Sequence, residues 1–169
     1  MTPAPGAPYR PTSELVGIAW LKLRVPEFAS LLADNIDIVG TALPSDTTKW
    51  AATGFLQVTA IPGGRPVDID LPRRLPILQL DAWATANTSG TASSIKPPWH
   101  LAAQLIEYVR IATEDAQTGY YGKTIDIKTN YRQARVQAAY LVTEPDKVLD
   151  DPSGYAHFTA DLAVDWVPA

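Results

Sequence analysis

The C-terminal segment from Tyr155 to Val167 constrains the fold most strongly, because apolar and polar residues alternate along it. Its apolar positions recur at every second residue and are Ala156, Phe158, Ala160, Leu162, Val164 and Trp166. Polar residues stand between them: His157, Thr159, Asp161 and Asp165. Successive side chains of a strand point to opposite faces. The segment is therefore predicted to be a strand of an antiparallel sheet that has one core face and one polar face.

Other segments show either helical spacing or further alternation. Ser13 is predicted to cap a helix that runs to Arg24, and Pro97-Pro98 precedes a helix predicted to end near Thr113. Predicted strands follow the period-two pattern or are short apolar runs, at 36–39, 55–61, 77–83, 124–128, 134–142 and 155–167. The segment 144–154 is acidic and is predicted to be a loop. This order predicts an α+β fold, with two main helices packed on one face of a mainly antiparallel or mixed sheet.

The length of 169 residues indicates one domain. Residues 1–12 hold four prolines and are predicted to be a flexible arm, which leaves 13–169 as the single domain. The absence of cysteine excludes a disulfide scaffold, a thiolate metal site and a cysteine nucleophile. No apolar run is long enough to span a bilayer, and the first thirty residues lack a signal-peptide pattern. The net charge of −4 argues against a protein that grips nucleic acid by its phosphates.

Motifs of known catalytic sites are missing from the sequence. It contains no Gly-x-Ser-x-Gly, P-loop, Gly-x-Gly-x-x-Gly or His-Glu-x-x-His pattern. His100 is expected on the wet face of a helix, where it is an ordinary surface residue. His157, Asp161 and Asp165 have the residue types of a metal site, so a small metal-dependent hydrolase is one alternative. The other interpretation is a polar sheet face without chemistry, and we predict that the protein is not an enzyme.

Basic and aromatic residues near predicted loops are the candidates for protein contacts. Arg73-Arg74 is flanked by prolines. The pair suits either a contact to an acidic partner or an edge strand that charge and proline protect against aggregation. Trp50 and other aromatic residues beside loops could anchor an interface. The candidate interface residues are Arg65, Arg73, Arg74, Trp99, Tyr120 and Tyr121.

The order of the segments resembles a known family. A short helix carrying Ala19-Trp20-Leu21 leads to Val39-Gly40-Thr41-Ala42-Leu43-Pro44, then to a strand ending Ile61-Pro62-Gly63-Gly64. The strand 76–84, an alanine-containing helix over 101–113 and a final strand closing on Val164-Asp165-Trp166 follow. Over residues 13–167 this resembles the tail terminator, or tail completion, proteins of long-tailed bacteriophages, particularly those that infect actinobacteria.

The resemblance implies a structural virion protein without enzymatic activity, cofactor or metal. Such a subunit forms a homohexameric ring on the head-proximal end of the tail tube, where it stops tube polymerisation. Its implied partners are other copies of itself, the tail tube protein and the head–tail stopper or connector protein. It is implied to be made in the host cytoplasm and to reside in the virion at the neck. A head–tail stopper and a tail tube subunit are the alternatives of the same class.

Genomic DNA would pass through the lumen of such a ring without specific binding. Six copies at −4 each carry −24. Because an acidic lumen repels phosphates, we expect the lumen to be acidic or neutral. The contacts of the family lie in loops and sheet edges, for which Arg65, Arg73, Arg74 and the loop 87–96 are the candidates here.

Overall fold

The computed structural model describes residues 9–30, 32, 35–62, 73–86, 97–114, 121–128 and 130–169. The predictions for residues 1–8 of the arm, for the segments 63–72 and 87–96, and for Arg65 and Tyr120 lie outside the described residues.

The described strands form one mixed seven-stranded sheet. They are β1 Val39–Gly40, β2 Phe55–Ala60, β3 Ile77–Ala84, β4 Thr124–Ile125, β5 Ala134–Leu141, β6 Asp146–Val148 and β7 Ala156–Pro168. The order across the sheet is β1-β2-β3-β7-β5-β4, and β6 pairs with β7 beside β5. Only the β1–β2 pair is parallel among these strands; the others are antiparallel. The 13-residue β7 lies at the centre and pairs with β3 on one side and with β5 and β6 on the other.

Two α-helices of the described chain, α1 Ser13–Arg24 and α2 Trp99–Glu114, pack on the same face of the sheet. That face carries the even-numbered residues of β2, β3 and β7. In α1, a methyl group on Gly17 would lie 2.3 Å from the Leu78 side chain, so the helix approaches β3 closely. At the start of α2, Trp99 packs edge-to-face on Phe158 of β7. The structure thus confirms the predicted α+β class with both helices on one face.

The core lies between this sheet face and the helices. Its largest fully buried side chains include Trp20 of α1 and Trp166 of β7. The buried residues of α2 are Ala102, Leu105, Ile106, Val109 and Ala112, which the helical spacing predicted. Neither α-helix is long and apolar enough to cross a membrane, and the same holds throughout the part of the chain that the structure describes.

Several predicted boundaries were wrong. The N-cap of α1 is Thr12, whose Oγ1 accepts from the Leu15 amide at 3.3 Å, and not Ser13. The predicted loop 144–154 contains β6, because its backbone finds partners on β7. The strands predicted at 36–39 and 124–128 shrink to two residues each, β1 and β4. These short edge strands pair with only two residues of their neighbours.

Candidate functional site

The face of the sheet opposite the helices is the candidate site. It carries the odd-numbered residues of β2, β3 and β7 and the side chains registered with them on β5 and β6, and we call it the open face. No described helix packs on it. Alternation predicted its polar character, but several of its polar side chains are buried. Asp81, His157 and Asp165 are buried on it, with 8%, 9% and 5% of their surface exposed.

His157 lies at the centre of a buried polar network. The register of β3 and β7 places it beside Trp83. Its ring stacks on the Trp83 indole with centroids 3.8 Å apart and planes 14° apart. Its Nε2 lies 2.8 Å from Asp81 Oδ1, and its Nδ1 lies 3.1 Å from Asp151 Oδ2. Since Asp151 stands in the turn before β7, the ring ties this turn to β3.

The network acts as a structural tie, by which we mean a set of hydrogen bonds that links the turn before β7 to β3. Ionised carboxylates only accept hydrogen bonds, so His157 donates to both partners when each ring nitrogen carries a proton. Asp81 accepts a further bond from Gln79 Nε2 at 3.1 Å. Burial by itself would raise the pKa of Asp151, but hydrogen bonds from the Ser153 hydroxyl and amide and from His157 outweigh it and lower the pKa. The Ser153 hydroxyl donates to Asp151 and not to the imidazole. A Ser-His-Asp triad needs the serine hydroxyl to donate to the histidine, so these residues do not form one.

A second buried carboxylate of the open face, Asp165, is held by Arg73. The Arg73 Nε donates to Asp165 Oδ1 at 2.8 Å, and its Nη2 donates to Oδ2. This hydrogen bond and the charge of Asp165 raise the pKa of Arg73. The Arg73 side chain is still 59% exposed. Arg74 forms an antiparallel bridge with Trp166 and places its guanidinium 6.0 Å from the indole centroid.

The aromatic candidates also have internal contacts. Besides Phe158, Trp99 carries the Lys147 ammonium 3.9 Å from its ring. Tyr121 stacks on Trp20, and its hydroxyl donates to the Ala139 carbonyl at 3.0 Å. Trp50 is fully buried and donates from Nε1 to the Pro44 carbonyl, so it is not an exposed anchor. The interface role of Arg73, Arg74, Trp99 and Tyr121 stays a prediction.

The metal-site alternative required His157, Asp161 and Asp165 to converge, and they do not. They occupy positions four residues apart on one extended strand, which separates neighbours by about 13 Å at roughly 3.3 Å per residue. His157 and Asp165 are bound instead to other side chains. No group of three or more potential metal ligands is assembled among the described residues.

Sequence reasoning found His157 but missed Asp81 and Asp151 as its partners. The signal was the matching alternation of polar residues in β3 and β7, which becomes a contact only when the two strands are paired. No protein-family model matches the chain, and no curated protein is significantly similar to it.

Proposed function

We propose that this chain is a structural, ring-forming subunit of the phage tail terminator type. The observation that carries the proposal is the one-sided layering of the domain. Two helices cover one face of the sheet, whereas the described part of the chain places no helix on the open face. A sheet face that combines half-buried polar side chains with exposed apolar ones suits contact with other proteins.

The state of the charged groups on the open face supports an assembly role. Asp81 and Asp165, the buried carboxylates of the face, are engaged by His157 and Arg73. Paired and hydrogen-bonded buried charges fix a surface in one conformation, which lowers the conformational cost of binding. The same groups are therefore not set out around a substrate cleft, and a docking surface accounts for them better than a catalytic one.

The test is negative-stain electron microscopy of the purified protein, alone and mixed with tail tubes of its own phage. Six-fold rings, or density that caps one end of each tube, are the expected result. Long tubes of the protein alone would replace the proposal with a tail tube subunit, because contacts that do not close generate filaments. Isolated particles in the first sample, together with bare tube ends in the second, would overturn the proposal.

A further inference from the structure

Charge and apolar surface are arranged in rows along the open face. In the central row, β3, β7 and β5 contribute Ile77, Ala163 and Tyr140 at the same register. Tyr140 is 48% exposed, and Val142, which follows β5, is 49% exposed. Ala163 itself is only 2% exposed, so the apolar surface at the middle of the open face comes from Tyr140 and Val142, on the β5 side.

One side of the central row is acidic. Thr159, four residues before Ala163 on β7, pairs with Asp146 of β6. Asp146 and its neighbours Glu144 and Asp161 line an open depression of about 640 Å³. None of these three carboxylates forms an ion pair with another described residue. Asp146 thus lies about 13 Å from the central row, at roughly 3.3 Å per residue, whereas Asp161 lies two residues, or about 7 Å, from Ala163.

The other side of the central row is basic, at the same distance. Val167, four residues after Ala163 on β7, pairs with Arg135 of β5. Arg73 lies on the other flank of β7, but its charge is already paired with Asp165, so Arg135 is the cation that this end offers to a partner. Arg135 is exposed and donates from Nε to the Gly122 carbonyl. It forms no ion pair with any residue that the structure describes. The basic end is about 13 Å from Ala163, since again four residues separate the rows.

We infer that two copies of this chain pair through their open faces, with the strands antiparallel and a two-fold axis near the central row. Such a rotation places the acidic end of each copy against the basic end of the other. It also brings the exposed Tyr140 and Val142 of the two copies together. Asp146 and Arg135 pair with β7 residues that lie four positions on either side of Ala163, so the register places them opposite each other. A self-complementary patch of this kind is the mark of an isologous contact, which closes at two copies.

The dimer is expected in the free protein and does not depend on the proposed function. One consequence does rest on that function: if the ring uses the open face, dimer and ring exclude each other. The dimer would then prevent ring formation until a tail tube competes for the open face.

Charge reversal tests the pairing by sedimentation velocity in 50 mM and 500 mM salt. Asp146→Lys changes the net charge from −4 to −2 and Arg135→Glu changes it to −6, while the double variant returns to −4. Each single reversal should raise the dimer dissociation constant at least about tenfold, since symmetry places it at two contacts. The double variant should dimerise again. High salt should weaken the wild-type dimer, because exposed charges are screened.

Glu27→Lys is the matched control. It makes the same charge change as Asp146→Lys at an exposed residue of the 3-10 turn Pro26–Ala29, outside the sheet, and should leave the dimer unchanged. Circular dichroism of each variant checks that it is folded. A wild type that stays monomeric at millimolar concentration in low salt overturns the proposal, as does a dimer that both single reversals leave intact.

Cross-linking locates the axis independently, since the chain contains no cysteine. Tyr140→Cys should be joined between copies by a short bis-maleimide, whereas Ile111→Cys, 52% exposed on α2, should not. Cross-linking of the α2 variant alone would overturn the proposed face. Failure of the proposed ring would appear only in the microscopy with tail tubes, so the two proposals are tested separately.

Discussion

Replacing His157 by alanine should cost the fold about 3 kcal/mol, because it takes one hydrogen-bond partner away from each of two nearly buried carboxylates. The substitution removes the imidazole that contacts Asp81 at 2.8 Å and Asp151 at 3.1 Å. Both carboxyl side chains are nearly buried, with 11% and 13% exposed. Neither can therefore recover full hydration when the ring is gone.

The magnitude follows from the separate contacts. Two hydrogen bonds to charged groups stabilise by about 1.5–3 kcal/mol each, and the stack on Trp83 adds roughly 0.5–1.5 kcal/mol. Part of this is regained, because Asp81 keeps its bond from Gln79 and Asp151 keeps those from Ser153. A net loss of about 3 kcal/mol corresponds to a fall in Tm of roughly 9 °C for a chain of this length.

The assay is urea unfolding followed by circular dichroism at pH 7, with thermal unfolding as a second measure. The control is His100→Ala, which removes the other histidine, exposed on the first turn of α2. The control should change the free energy of unfolding by less than about 0.5 kcal/mol. If His157→Ala lies within about 1 kcal/mol of the wild type, the network is not a structural tie and the reasoning fails.

Three further predictions concern single residues. Asp151→Asn should be less stable than the wild type at pH 7, and the difference in the free energy of unfolding should shrink as the pH falls below about 4. The reason is that a carboxyl whose folded pKa is lowered stabilises the fold only while it is ionised. A difference that stays constant when unfolding is measured across this pH range would contradict the prediction. Gly54→Ala should cost about 2–3 kcal/mol, since φ is +72° and the new Cβ would lie 2.9 Å from both a leucine of α2 and a backbone oxygen of β3. Gly122→Ala, with φ +74° and open space, should cost only about 1 kcal/mol, and equal losses in thermal unfolding would count against the packing argument. Thr12→Ala should cost about 1 kcal/mol as the loss of an N-cap. No measurable loss in thermal unfolding would contradict the assignment of this cap.

The elements that sequence predicted well carry their signal locally. The buried stripe of α2 repeats with the helical period, and the core side of β7 repeats at every second residue. Both patterns are complete within one segment and need no knowledge of the neighbours. The same is true of β3, in which the fully buried apolar residues recur at every second position: Leu78, Leu80, Ala82 and Ala84. The fold class follows from the order of such segments.

The features that sequence missed depend on distant partners. His157 and Asp81 are 76 residues apart, and only the pairing of β3 with β7 brings them together. The segment Asp146–Val148 has two exposed charged residues and one half-buried valine, and it forms β6 because β7 offers hydrogen bonds to its backbone. Composition indicates a loop there, and tertiary context overrides it. The metal-site alternative erred in the same way, because side chains on one face of a strand need not be neighbours in space.

β7 connects the buried network to the charged rows of the open face. Near the start of β7, His157 is hydrogen-bonded to Asp151 and so fixes the segment that carries β6. Asp146 of β6 is therefore held by backbone pairing with Thr159 on one side and by this tie a few residues away on the other. At the far end, Asp165 holds Arg73 beside Val167. Charged side chains that are fixed before binding lose less conformational entropy when they contact a partner. In the proposed dimer, the buried charges of the open face support the exposed ones, which gives a structural reason for their burial.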